Sequence, residues 1–116
     1  MTITVEKFTG TSTIGTSEWS MTTNTAGPDA DTTDGVYQGF VDINALAAGD
    51  VFEFRCYETC RTGDTQRLIY YARFADAQAT PIWVSPTLIL GVGWDMTLKK
   101  ISGTDRAINW RISSIT

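Results

Sequence analysis

From Gly35 to the end of the chain, apolar side chains recur at every second position. VFEFRCYE sets Phe52, Phe54 and Cys56 against Val51, Glu53 and Arg55. RLIYYARF groups Leu68, Tyr70, Ala72 and Phe74, and GVGWDMTLKK groups Val92, Trp94, Met96 and Leu98 against Asp95, Thr97 and Lys99. RAINWRIS groups Ile108, Trp110 and Ile112 against Asn109 and Arg111. A period of two repeated this often is the signature of antiparallel sheet with one buried face. No stretch keeps a helical stripe for three turns. The expected fold class is therefore all-β: a small antiparallel β-sandwich or jelly-roll-like domain over residues 35–116. GVYQGFVDI reads as a short strand, and DINALAAGD as one helical turn ended by Gly49.

Residues 1–34 read differently. TGTSTIGTSEWSMTTNTAGPDADTTDG is rich in Thr, Ser, Gly, Asn and Asp, with Ile14, Trp19 and Met21 as isolated apolar points. Such a segment cannot enclose a core of its own. It is expected either as an extended N-terminal arm that places Ile14, Trp19 and Met21 on another subunit, or as an edge strand of the same domain. If it is an arm, deleting residues 1–30 should leave a folded domain.

The strands around CYETCRTGDTQ can be set in register. Opposing Phe52, Phe54 and Cys56 to Phe74, Ala72 and Tyr70 keeps every inward side chain on one face and leaves Thr62, Gly63 and Asp64 as the loop. Cys56 then points inward, while Cys60 lies beside the turn opposite Gln66. In extended chain their Cα atoms stand about 13 Å apart, too far for a disulfide unless the strand breaks at Glu58. The sequence holds no histidine and no third cysteine, so the usual structural zinc ligand set is missing. CYETC is also one residue wider than a redox CxxC and sits on a strand.

Lack of histidine removes Ser-His and Cys-His nucleophile pairs. Glu53, Glu58 and Asp95 fall on outward strand faces, where solvated carboxylates are expected and no paired-carboxyl cleft is implied. GVG at 91–93 leads into a strand and is no phosphate cradle. Asp29, Asp31 and Asp34 in PDADTTDG fall short of the six to eight oxygens calcium wants. Tyr37, Tyr57, Tyr71 and Trp83 are placed on outward faces, where they would serve a sugar platform or, more commonly for such strands, core or subunit contacts. No cofactor and no metal site are expected.

A net charge of −4 argues against nucleic acid. No apolar run reaches about 18 residues, so no membrane contact is expected. MTITVEKFTG lacks a secretory pattern, which points to synthesis in a cytoplasm. In ADAQATPIWVSPTLILGVGWD, Pro81 and Pro86 bracket Ile82, Trp83 and Val84 in the most apolar part of the chain. Proline cannot donate to a central ladder, so this is an edge strand or a crossing between sheets. Such an apolar edge calls for a covering subunit.

The stretch from LAAGDVFEFRCYE through WVSPTLIL to GWDMTLKKISGTDRAINWRISSI resembles small virion proteins of tailed bacteriophages. The resemblance rests on the GD element before an alternating strand, the proline-punctuated middle, and a terminal strand pair. In that pair the quoted residues are Thr97, Leu98 and Lys99, then Gly103, Thr104 and Arg106, then Trp110 and Ile112. It covers roughly residues 35–114 and leaves the Thr-rich segment unmatched. It implies a non-enzymatic capsid decoration or cement protein, or else a minor tail or adaptor component. It further implies a homo-oligomer, possibly a trimer, whose partners are the major capsid protein and copies of itself, in a virion assembled in the host cytoplasm. The expected interface residues are Ile14, Trp19, Met21, Ile82, Trp83 and Val84, with Phe52, Phe54, Trp94 and Trp110 as core. A carbohydrate- or receptor-binding module at a tail tip is the rival from another class.

Overall fold

A computed structural model describes residues 1–116. The chain forms ten strands: β1 (Ile3–Ile14), β2 (Trp19–Ser20), β3 (Thr25–Ala26), β4 (Gly35–Asp42), β5 (Val51–Thr59), β6 (Gln66–Ala75), β7 (Ile82–Val84), β8 (Leu88–Leu90), β9 (Asp95–Ser102) and β10 (Arg106–Ile115). Sheet A runs β1-β10-β4-β7, with β8 continuing the same margin beside β4, and sheet B runs β3-β2-β9-β5-β6. Every pairing is antiparallel. The connectivity is nested. The hairpin β5–β6 is innermost, β4 then pairs with β7 and β8, β2 with β9, and β1 with β10. A chain folded back on itself in this way and laid into two facing sheets is a jelly roll. No helix is long and apolar enough to cross a membrane.

The inward positions of the alternation meet between the sheets. Phe52, Phe54, Cys56, Trp94, Met96, Leu98, Ile108, Trp110 and Ile112 are all buried there. Tyr37 joins them with its ring 4.2 Å from that of Trp94, and its hydroxyl donates to the Thr33 carbonyl at 2.8 Å. The expected outward position of Tyr37 is thus corrected: β4 faces the core with Tyr37 and Val41 and turns Val36 and Phe40 outward. Trp83 is corrected in the same sense. It leaves the β7 margin to close the side of the sandwich, 4.8 Å from Phe54 and 5.2 Å from Phe74.

Residues 1–34 belong to this body. β1 is an edge strand laid along β10 from Ile3↔Ile115 to Ile14↔Arg106, and β2 and β3 extend sheet B. Ile14 and Met21 are each 1% exposed. The radius of gyration is 13.7 Å, close to the ~13 Å of a compact chain of this length, so no arm projects.

The β5–β6 register matches expectation through Cys56↔Tyr70 and then departs. A bulge after that pair leaves Ile69 unopposed, so Thr59, and not Cys60, faces Gln66. The turn widens to residues 60–65, and Leu68 swings to the outer face, 48% exposed. Val92 also lies outside the core, 37% exposed. Residues 43–50 form hydrogen-bonded turns and no helix.

Three stretches converge on Asp50. Its carboxylate accepts from the Ala47 amide at 2.8 Å, the Thr104 amide at 3.0 Å and Arg106 Nε at 2.7 Å. Gly103 (φ 93°) packs so closely on Asp50 that a Cβ would overlap it. The GD and G-T-x-R elements of the sequence are therefore one framework clamp.

Candidate interaction surface

The expected solvated carboxylates are corrected first. Glu53 is 5% and Asp95 0% exposed: the segment carrying Thr22 and Asp29 lies over Asp95, and the Arg55 and Arg73 side chains close on Glu53. Asp95 accepts from the Asp29 amide at 2.8 Å, Thr22 Oγ1 at 2.9 Å and its neighbour's amide at 2.9 Å. Burial pushes its carboxyl above the usual range against those hydrogen bonds. Burial works to raise Glu53 as well, but Arg73 and Arg55, each at 2.7 Å, hold it below its ordinary value. Glu18 accepts from Tyr57 Oη at 2.5 Å and Thr97 Oγ1 at 2.6 Å, with Arg55 at 3.5 Å. Glu58 takes the Gly91 amide at 2.8 Å. Each of these carboxylates fastens one segment to another. The amide of Asp29 and the backbone of Asp31 are used the same way, against Asp95 and Trp94.

The two thiols are free. Cys56 is buried, and burial, then Glu58 and Asp95, push its thiol up to about 12. Cys60 is exposed at the β5–β6 turn, in an open hollow of about 650 Å³ with Glu58, Asp64, Arg67 and Leu68.

The six expected interface residues divide. Ile14 and Met21 lie in the core and cannot reach another molecule, which corrects their assignment. Trp19 is half-buried against the core, its Nε1 donating to Asn24 Oδ1 at 2.9 Å. Trp83 is half-buried, as described above. Ile82 and Val84, on β7, are 56% and 44% exposed. They belong to a wider surface. The register places Ile82, Val84 and Ile89 beside Asp42, Phe40 and Val36 of β4, and Phe40 and Val36 beside Arg111 and Ile115 of β10. Ile3 and Val5 of β1 complete it. Ile89 is 86% exposed, and a groove of about 300 Å³ runs between Ile3, Val5, Val36, Phe40, Arg111 and Ile115.

One cation lies in this apolar field. The Arg111 guanidinium stacks 3.9 Å above the Phe40 ring, and its Nε has no hydrogen-bond partner. A delocalised guanidinium on an aromatic face offers the rest of its donor fork to a carboxylate. Glu6 and Asp42 flank the adjoining hollow. The arrangement can bind: apolar area supplies the driving force and Arg111 the orientation. Among the aromatics expected outside, Tyr57 is hydrogen-bonded to Glu18, and Tyr71 is the one ring more than half exposed.

Ile3, Val36, Phe40 and Ile115 were not singled out from the sequence, whereas Ile89 lies in the apolar stretch expected to need a cover and Arg111 on an expected outer face. A signal for β4 was present: GVYQGFVD carries apolar residues at both parities, as a strand with two covered faces does. No family model matches the chain, and no curated protein or solved structure matches it.

Proposed function

We propose that this protein is a non-enzymatic virion structural protein, a capsid decoration or cement protein, that attaches through the outer face of sheet A. The observation that carries the reading is the apolar field of Ile82, Val84, Ile89, Ile3, Val5 and Ile115 with the unpaired Arg111 in its midst. A field of this kind on one face of a monomer marks a docking surface. The resemblance of residues 35–114 to small phage virion proteins supplies the class of partner, the major capsid protein, and the jelly roll supplies a rigid platform, an analogy of fold alone. Each large apolar side chain buried on docking contributes about 1.5–3 kcal/mol. Repetition over a lattice turns a modest contact into lasting attachment.

Ile89→Asp tests it. The side chain is solvent-exposed, so folding stability should stay within about 0.5 kcal/mol, while binding to empty heads in co-sedimentation should weaken roughly ten-fold or more. Undiminished sedimentation of a folded Ile89→Asp would remove the face from the mechanism. Sedimentation with tails in place of heads would move the protein to a minor tail or adaptor role. Saturable binding on a glycan array would favour the sugar-binding module, for which one exposed tyrosine is a poor platform.

A further inference from the structure

The second surface is a strand margin in sheet B. β6 hydrogen-bonds to β5 on one side and to nothing on the other. The Asp76 amide donates to the Asp50 carbonyl at 2.8 Å. From there the alternation of an antiparallel ladder directs the amides and carbonyls of Phe74, Ala72 and Tyr70 toward β5. Those of Tyr71 and Arg73 consequently face the open side. The other margins are blunted. Pro81 and Pro86 flank β7 beside β8, β3 has two residues, and β1 is irregular between Thr4 and Phe8 and fringed thereafter with Thr and Ser. QRLIYYARFA contains no proline, glycine, lysine or acidic residue. Its Leu68, Ile69 and Tyr71 are 48%, 49% and 58% exposed. A long strand with an apolar fringe and unpaired backbone groups is a template for another strand.

We infer that the margin is filled by a second copy of this chain, β6 against β6 in antiparallel orientation, with the two-fold axis at Tyr71. Such an interface is self-complementary and closes at two subunits. The backbone phase and the charges select the axis. Pairing must oppose outward-facing residues, which Tyr71 against its twin satisfies from Ile69 to Arg73, the bulge at Ile69 shifting the phase of residues 66–68. An axis at Tyr70 sets Arg73 against the partner's Arg67, and an axis at Arg73 sets that guanidinium against its own copy. An axis at Ala72 shortens the overlap. With the axis at Tyr71, Arg73 faces the partner's Ile69 and no partner guanidinium, and it keeps its bond to Glu53 at 2.7 Å. The five-stranded sheets B of two molecules thereby join into one continuous sheet. Sheet A keeps its outer face free, so the pairing stands whether or not that face meets a capsid.

The register gives the test. The full chain, of 12.7 kDa, should sediment at about twice that mass. Ile69→Lys places an ammonium against the partner's Arg73 and should raise the dimer dissociation constant, while Ile69→Glu should lower it, the two standing about ten-fold apart. In a Cys60→Ser background, Tyr71→Cys should cross-link on mild oxidation, since hydrogen-bonded antiparallel partners stand ~5.5 Å apart at Cα. Thr11→Cys, on the exposed β1 margin, should not. A monomer at every concentration, equal dissociation constants for the two Ile69 variants, or equal cross-linking at positions 71 and 11 would overturn the pairing. A monomer would leave the margin to a strand of some other protein, and it would leave co-sedimentation with heads untouched.

Discussion

At Asp50 one carboxylate holds the 43–50 turn, the 102–105 turn and the first residue of β10 together. The hydrogen bond from Arg106 is the largest cause that lowers its pKa from 3.8 to about 2, followed by the amides of Thr104 and Ala47. A carboxyl held below its unfolded value favours folding wherever it is ionised in both states. Its contribution is therefore complete above the ordinary value of 3.8 and is lost as pH falls through about 2. Asp50→Asn should melt below the parent at neutral pH, and the gap should close as melts are recorded across that acidic window. A gap of constant size would show that lost packing, and not the charge, is responsible. Asp95 acts in the opposite sense: burial raises its pKa, so protonation on acidification relieves a cost. The sequence showed the carboxylates of Glu53 and Asp95 on outward strand faces, and that is their side of the sheet. It could not show that the segment of Thr22 and Asp29 covers Asp95 or that Arg55 and Arg73 close on Glu53, because coverage is decided by where other groups go and not by parity along the strand.

The elements legible in advance were those whose alternation is strict. β5, β9 and β10 were readable to the side chain, and the Phe52↔Phe74, Phe54↔Ala72 and Cys56↔Tyr70 register followed from keeping apolar residues on one face. The bulge at Ile69 was not legible, because Leu68 and Ile69 are both apolar and either parity satisfies the pattern. β1 misled differently. Thr-rich sequence carries little apolar area, and what decides its place is the exposed side of β10, which takes it from Ile3 to Ile14. Ile14 and Met21 then enter the core, and Trp110 Nε1 donates to the Met21 carbonyl at 3.0 Å. Truncating a buried Ile or Met costs about 2–5 kcal/mol, against a total stability of ~5–15 kcal/mol. Removal of residues 1–30 strips both, together with β1, β2 and β3. That truncation should therefore lose the cooperative thermal transition seen by circular dichroism, contrary to the behaviour of an arm. A sharp melt in the shortened chain would return these residues to a dispensable role.

For the whole molecule, nesting dictates an order of events. Apart from the local β2–β3 turn, the nested pairs β4 with β7 and β8, β2 with β9, and β1 with β10 each join segments farther apart in sequence than the pair inside them, and a fold dominated by distant contacts closes slowly, in milliseconds to seconds. Within the nest the β5–β6 turn is the cheapest loop to close, and the meeting of β1 with β10 is the dearest. Two glycines sit at these extremes. Gly63 adopts φ 91° in the turn, with open space where a Cβ would go, so Gly63→Ala adds only backbone strain, about 1–2 kcal/mol. Gly10 lies against Trp110, where a Cβ would stand 2.6 Å from the ring, and that ring is pinned by its bond to Met21. Gly10→Ala adds an overlap worth about 1–3 kcal/mol. If the hairpin forms in the folding transition state and β1 docks after it, the penalties divide between the two limbs of a chevron. Gly63→Ala should slow refolding roughly 5- to 30-fold and leave unfolding unchanged, while Gly10→Ala should speed unfolding roughly 5- to 150-fold and leave refolding unchanged. Stopped-flow fluorescence from the buried tryptophans measures both rates. Slower refolding in Gly10→Ala with unaltered unfolding would mean that the two ends of the chain meet first and that the nest closes from its outermost pair inward.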